Sequence, residues 1–314
     1  MSDAAPRCFR HPGTETLLSC ARCGQPACPD CLVPSAVGFH CVDCVRSQRG
    51  ERTHAARSVR RLTRPDPIFL LLVAGFVGTC VWAAATPVSH MFMGASQRLG
   101  PILLVIVGWV VSLCLHEFAH AFVAWKAGDT SIPDKGYLTL DPLKYTDPVW
   151  SLVVPVLMLA AGGIGLPGGA VWIEQHRIRS RAMRSMVSLA GPATNIVFGA
   201  VCVTLVHIGA FDSHPTLMAT MAFLGKLEFV TALLNLLPVP GLDGYGAISP
   251  YLPADVRHAI APWAQYGVVI LFLVMLRTGF GNELWTAGQA MVDIIGVPDH
   301  ATDAGELLSR LRLL

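Results

Sequence analysis

Residues 100–120 read GPILLVIVGWVVSLCLHEFAH, an apolar run that ends in two histidines and a glutamate. On a helix, positions i and i+4 share a face, so His116 and His120 can aim their imidazoles at one point. Two imidazoles at that spacing are half of a zinc site, and Glu117 beside them is a candidate general base. Ionisable groups are expensive within such an apolar segment and mark a functional site there. The run is long enough to cross a bilayer.

Composition extends this reading to the whole chain. Of 314 residues, 53% are apolar and only 14% charged, and the mean hydropathy is +0.53. A soluble domain carries about 25% charged residues, so this is a membrane protein. The net charge of +2 supplies no global basic field for nucleic acid. The opening MSDAAPRCFRHPG lacks the charged-then-apolar pattern of a signal peptide. The first domain is therefore expected on the cytoplasmic side.

Seven of the ten cysteines fall between Cys8 and Cys44. With His11 they form four pairs of x-x spacing: Cys8/His11, Cys20/Cys23, Cys28/Cys31 and Cys41/Cys44. Eight such ligands suit two tetrahedral zinc ions. The short gap from Cys23 to Cys28 favours a cross-brace. Cys8, His11, Cys28 and Cys31 would then hold one ion, and Cys20, Cys23, Cys41 and Cys44 the other, with His40 as a spare beside Cys41. Large apolar residues are too few here to build a core, so zinc would supply the folding energy. The stretch resembles a B-box-type zinc finger whose closing histidines are replaced by Cys41 and Cys44. All ligand positions are filled, which argues against catalysis in the finger. The spacing and surface do not suit nucleic acid either. A protein partner or substrate recruited from the cytoplasm is the expected role, against that of a stable cap with no partner.

The chain divides into a finger (1–45), a basic linker (46–66), a membrane domain (67–280) and an amphipathic tail (281–314). Seven arginines between Arg46 and Arg64 place the linker in the cytoplasm by the positive-inside rule; they also offer a surface for anionic lipid headgroups. Apolar stretches follow at about Pro67–Val88, Gly100–Ala127, Met186–Phe211, Leu217–Val239 and Pro262–Leu276. The run Val149–Leu166 contains Pro155 and GGIGLPGG, which suits an irregular segment. Basic residues flank it on both sides, so it is expected to dip in and return. The fold class is thus mainly α: a polytopic bundle of about five to six spans plus a re-entrant segment. The end ELLSRLRLL lies on the membrane or packs against the bundle; its sequence suits both.

A catalytic zinc needs a third protein ligand and an open position. The best candidate is Asp243, on a loop rich in Pro238, Pro240, Gly241 and Gly244 that ends an apolar helix and permits close backbone approach. Were Val149–Leu166 a full crossing, Asp243 would lie across the membrane from the histidines. As a re-entrant segment, it leaves Asp243 on their side.

HEFAH, GYLTLDPLKYTDP (136–148), AGPATN (190–195) and NLLPVPGLDG (235–244), in that order, resemble the site-2 protease family of intramembrane zinc metalloproteases. The likeness runs from about residue 100 to residue 250. It implies His116, His120 and Asp243 as ligands of a catalytic zinc, alongside the two structural ions of the finger, and Glu117 as the base. It also suggests that Asn195 and Asn235 line the cleft and bind substrate backbone; helix–helix hydrogen bonding is the other reading of both. Gly241 stands where many relatives have a second proline, and Tyr245 follows the Asp-Gly pair.

The function this implies is hydrolysis of peptide bonds in or near transmembrane segments of membrane-anchored proteins, at a multi-pass cell-membrane protein whose finger and site opening face the cytoplasm. A substrate helix must unwind to expose a carbonyl, and the turn-rich, β-compatible stretch Gly136–Pro148 with the glycine-rich run after it suggests capture by strand addition. The alternatives are a catalytically silent scaffold and a zinc-dependent sensor or transporter; Glu117 argues against both, since neither needs a base. Cys114 reads as helix packing, and His54, His90, His176, His207, His214, His258 and His300 as unconnected to the site.

Overall fold

The structure, a computed structural model, describes residues 6–34, 39–45, 47, 66–87, 95–144 and 172–309. The Val149–Leu166 run and nearly all of the arginine-rich linker lie outside them. Residues Met1–Thr63 form one compact unit and Arg64–Leu314 a second.

The first unit has little regular structure. Strands β1 (Leu32–Pro34) and β2 (Phe39–Cys41) pair antiparallel with Leu32 opposite Cys41. Its buried centre consists of Cys8, Ala27, Cys28 and Cys31, with Phe9 and Leu32 packed beside them. Leu17 is 88% exposed. An interior made of thiols rather than hydrocarbon leaves cohesion to whatever the thiols bind.

The second unit is helical. Helix α1 (Pro67–Ala85) starts with Asp66, whose carboxylate accepts from the Ile68 N–H at 2.9 Å, and with a proline in its first turn. Its 19 residues rise about 28 Å. It is followed by α2 (Ala95–Ala127), α3 (Arg181–His207, capped by Ser180) and α4 (Pro215–Asn235). These four are long and apolar enough to cross a membrane. Only 6% of α1 is buried inside the protein against 89% of α4, so α1 is a peripheral helix and α4 the central one.

Small residues let the backbones close on α4. A Cβ on Gly199 of α3 would fall 2.9 Å from the Gly225 carbonyl oxygen of α4, and one on Gly108 of α2 would fall 2.6 Å from Leu224. Side-chain-free crossings of this kind suit membrane bundles, where packing replaces hydrophobic exclusion as the driving force. Around them cluster Leu104, Trp109, Cys114, Val203, Leu224, Leu227 and Phe229.

Beyond α4 come α5 (Asp243–Ile248), α6 (Ala254–Ile260), α7 (Gly267–Thr278), α8 (Phe280–Ile295) and α9 (Asp299–Ser309). The span expected at Pro262–Leu276 is not one straight helix. Ala254–Ala264 and Gly267–Met275 meet at 71°, and the 12 residues of α7 rise only about 18 Å. The bend falls where Gly267 abuts the Pro240 carbonyl, a contact that leaves no room for a Cβ. The described residues therefore hold four such spans, or five if the bent pair counts as one. The tail packs against the bundle: Gly288 of α8 lies on Val230, and Gly305 of α9 on the Ala219 carbonyl.

Residues Gly136–Lys144 are not extended. Tyr137–Thr139 and Pro142–Lys144 are short 3-10 turns, and Leu140 between them adopts φ 59°. Tyr137 and Leu138 are buried. The expected strand edge is absent among the described residues of this stretch because Gly136, at φ 75°, turns the chain onto itself.

Candidate functional site

Helix α2 carries His116 and His120 one turn apart, both buried, with Nε2 atoms 3.0 Å apart. The chain returns to them through the turn after α4. Gly241 takes φ 97°, and Gly244 packs on the Leu236 and Leu237 carbonyls so closely that no side chain fits. Helix α5 then docks on α3, where the Ser185 hydroxyl donates to the Ala247 carbonyl at 2.6 Å. The result sets the Asp243 carboxylate 3.3 Å from His116 Nε2 through Oδ2 and 3.3 Å from His120 Nε2 through Oδ1.

The outer nitrogens decide which face of each ring is available. His116 Nδ1 lies 2.6 Å from Asn195 Oδ1 and His120 Nδ1 lies 2.6 Å from the Val187 carbonyl. Carbonyl oxygens only accept, so both Nδ1 atoms carry the proton, and the neutral rings turn their Nε2 lone pairs inward. Ligands about 2.0 Å from a tetrahedral zinc stand about 3.3 Å from one another. The three donors match that spacing, and lone pairs so close repel one another unless a cation sits among them. This donor set fits zinc.

One side of the cluster is closed by α3. A Cβ on Gly191 would fall 2.5 Å from His116 Nε2 and closer still to His120 Nε2. Only glycine leaves the space open. Glu117, next to His116, is 4% exposed.

Asn195 is brought to the site, but behind the histidine rather than facing a cleft. It is 2% exposed, and its Nδ2 donates to Glu228 Oε2 at 2.7 Å and Ser112 Oγ at 3.1 Å. With Oδ1 on His116, its amide makes hydrogen bonds to both α2 and α4. Asn235 is the buried last residue of α4. Cys114 packs in the hydrophobic core. His207 contacts the Gly296 carbonyl and His214 the Ala84 carbonyl, both away from the cluster. His54 and His90 lie outside the described residues.

Sequence reasoning passed over Gly191, Ser112, Glu228 and the Val187 carbonyl. A signal existed for two of them: Ser112 is one turn before His116 on the same face, and Glu228 is an acid within a span, which marks function by default. Lys226 was equally legible; it is buried and lies 4.8 Å over the Trp285 ring.

In the first unit, the ligand atoms of Cys8, His11, Cys28 and Cys31 lie within 4.8 Å of one another, as do those of Cys20, Cys23, Cys41 and Cys44. His40, in β2 opposite Val33, belongs to neither group. Burial works against thiolate at Cys8 and Cys20, but backbone N–H groups outweigh it and bring both down to about 6. Burial and neighbouring sulfurs push Cys31 up to about 11. Negative charge crowded in this way suits a divalent cation.

Helices able to cross a bilayer, two imidazoles and a carboxylate converging at one point, and a glutamate alongside define a membrane protein with a metallohydrolase type of centre. Three curated relatives carry the name "Putative zinc metalloprotease". Rip2 of Mycolicibacterium smegmatis is 42% identical over 256 residues, 81% of this chain and 96% of that one. Rip2 of Mycobacterium tuberculosis H37Rv is 39% identical over 80% of this chain and 95% of its own. YwhC of Bacillus subtilis is 31% identical, covering 65% and 93%. No protein-family model and no solved structure matches the chain. The chain belongs to the site-2 protease family of intramembrane zinc metalloproteases.

Proposed function

We propose that the chain is an active zinc metalloendopeptidase that hydrolyses peptide bonds in or near transmembrane segments of membrane-anchored proteins. The observation that carries this is the convergence of His116 Nε2, His120 Nε2 and the Asp243 carboxylate beside Glu117. These three ligands would hold one zinc and leave a position open for water or substrate. Bound zinc supplies Lewis-acid activation of water and of the scissile carbonyl.

The chain's own residues do the rest. Asn195 and the Val187 carbonyl hold the rings so that the lone pairs stay inward. Glu117 takes the proton of the attacking water and hands it to the leaving amine nitrogen as the C–N bond breaks. The Asp243 side chain is 22% exposed against 8% for the two imidazoles, which supports water entry from the Asp243 side. Two further zinc ions, in the Cys8 and Cys20 groups, are structural in this reading. The finger faces the cytoplasm and recruits a protein partner or substrate there; no nucleic acid is involved.

The test is quantitative membrane proteomics on cells expressing wild type or Glu117→Gln at equal levels. Single-span proteins or their fragments should accumulate only with Glu117→Gln. Identical membrane proteomes would sink the protease reading.

A further inference from the structure

Glu228 is the one acid on α4, fully buried and far from any metal ligand in sequence. Its Oε2 accepts from the Ser112 hydroxyl at 2.6 Å and from Asn195 Nδ2 at 2.7 Å, while Oε1 has no hydrogen-bond partner among the described residues. A half-satisfied carboxyl in a membrane bundle is poor packing, and hydrocarbon of the same size would stabilise the fold as well or better. What hydrocarbon cannot supply is direction.

The direction runs through three helices to the metal ligands. Asn195 is a two-sided amide and could present either atom to His116. Reversed, it would aim Oδ1 at Glu228 Oε2, two acceptors at 2.7 Å, and an N–H at His116 Nδ1. Glu228 excludes that orientation as a carboxylate, and as an acid whose proton sits on Oε1, because Oε2 then only accepts. With Nδ2 held by Glu228 and Ser112, Oδ1 must face His116, Nδ1 must carry the proton, and Nε2 must offer its lone pair to Asp243 and His120. We infer that Glu228 is a positioning residue that sets the tautomer and aim of His116 through Asn195, with Ser112 as its accessory. This rests on reading the cluster as the catalytic zinc site and extends that site by two residues on α2 and α4.

The test is zinc affinity of the full-length protein, taken for the membrane site as the difference from Asp243→Ala, which keeps only the finger sites. Glu228→Leu should weaken zinc binding about 10- to 100-fold while thermal stability stays the same or rises. Glu228→Gln, which can still turn an oxygen to Asn195, should bind close to wild type. Asn195→Ala should weaken binding to a similar degree, and adding Glu228→Leu to it should cost nothing further. Wild-type affinity in Glu228→Leu, or additive losses in the double variant, would overturn the inference. So would a Glu228→Leu chain that does not fold beside a Glu228→Gln/Asn195→Ala chain that binds zinc normally. Cleavage plays no part in the readout. A chain that binds zinc but cleaves nothing would therefore sink the protease reading while the affinities still decide the role of Glu228.

Discussion

Gly191 shows how narrow the tolerances are at the level of single residues. Its backbone approaches both imidazoles so closely that one added carbon would occupy the place of a ligand lone pair. Gly191→Ala should leave the helices formed, since alanine is the better helix former, yet abolish zinc binding in the membrane unit. Displacing reacting groups by an ångström costs about 100-fold in rate, so cleavage should fall at least that far. Circular dichroism together with zinc content checks both halves of the expectation, and a Gly191→Ala chain with normal zinc content would refute it. The histidines and Glu117 were legible from spacing alone, and Asp243 from turn chemistry and topology. Ser112 and Glu228 stood out as polar groups in apolar spans, but their pairing did not, because Glu228 lies 33 residues from Asn195 and 116 from Ser112. The period of one helix says nothing about which atom of another it will meet. Asn195 was singled out by family resemblance, and only the packing shows that its amide faces a histidine.

The segments around α2 and α3 are secured by charge rather than hydrocarbon. Asp129, fully buried after α2, accepts from the Ser131 hydroxyl at 2.6 Å and from the Glu174 N–H at 2.8 Å. The Glu174 side chain in turn meets Lys135 at 3.2 Å and Arg177. Ser131, Lys135 and Arg177 together draw the Glu174 carboxyl down from 4.5 to about 2. A lowered carboxyl stabilises the folded arrangement fully above its ordinary value and loses that contribution as the pH falls toward the folded one. Docking of Trp172–Arg177 on Asp129–Lys135 should therefore weaken between pH 4.5 and about 2. Amide exchange at Arg177, corrected for the intrinsic rate and referred to α3, should rise across that window. Glu174→Gln should show the weaker docking already at neutral pH and no further change on acidification; an unchanged acid response would contradict this. At this scale the apolar pattern located all four long helices, matching the start that Asp66 caps and missing by a few residues the one that Ser180 caps. Gly136–Lys144, turn-rich and β-compatible in sequence, takes up the turns and not a strand, with Gly136 and Leu140 both at positive φ. The apolar pattern took Pro262–Leu276 for one helix, since nothing local reveals that Gly267 must make room for the Pro240 turn.

The two units differ in what holds them together, and the difference was visible in composition. The membrane unit is a bundle of apolar helices closed by glycine contacts. The finger has a centre of cysteines with hardly any hydrocarbon. A strong chelator should therefore unfold the finger, exposing its seven thiols to alkylation, while the helical signal of the membrane unit persists. Thiols that stay protected after chelation would show that the finger does not depend on metal. For the molecule as a whole, the central claim is that one zinc and Glu117 perform peptide hydrolysis inside the membrane unit. The most direct measurement is cleavage of a single-span substrate by purified full-length protein in liposomes, with zinc counted in the same samples. Wild type should hold a zinc that Asp243→Ala lacks, and cleave. Glu117→Gln should hold the same zinc and leave the substrate intact. Undiminished cleavage by Glu117→Gln or by Asp243→Ala would contradict the claim.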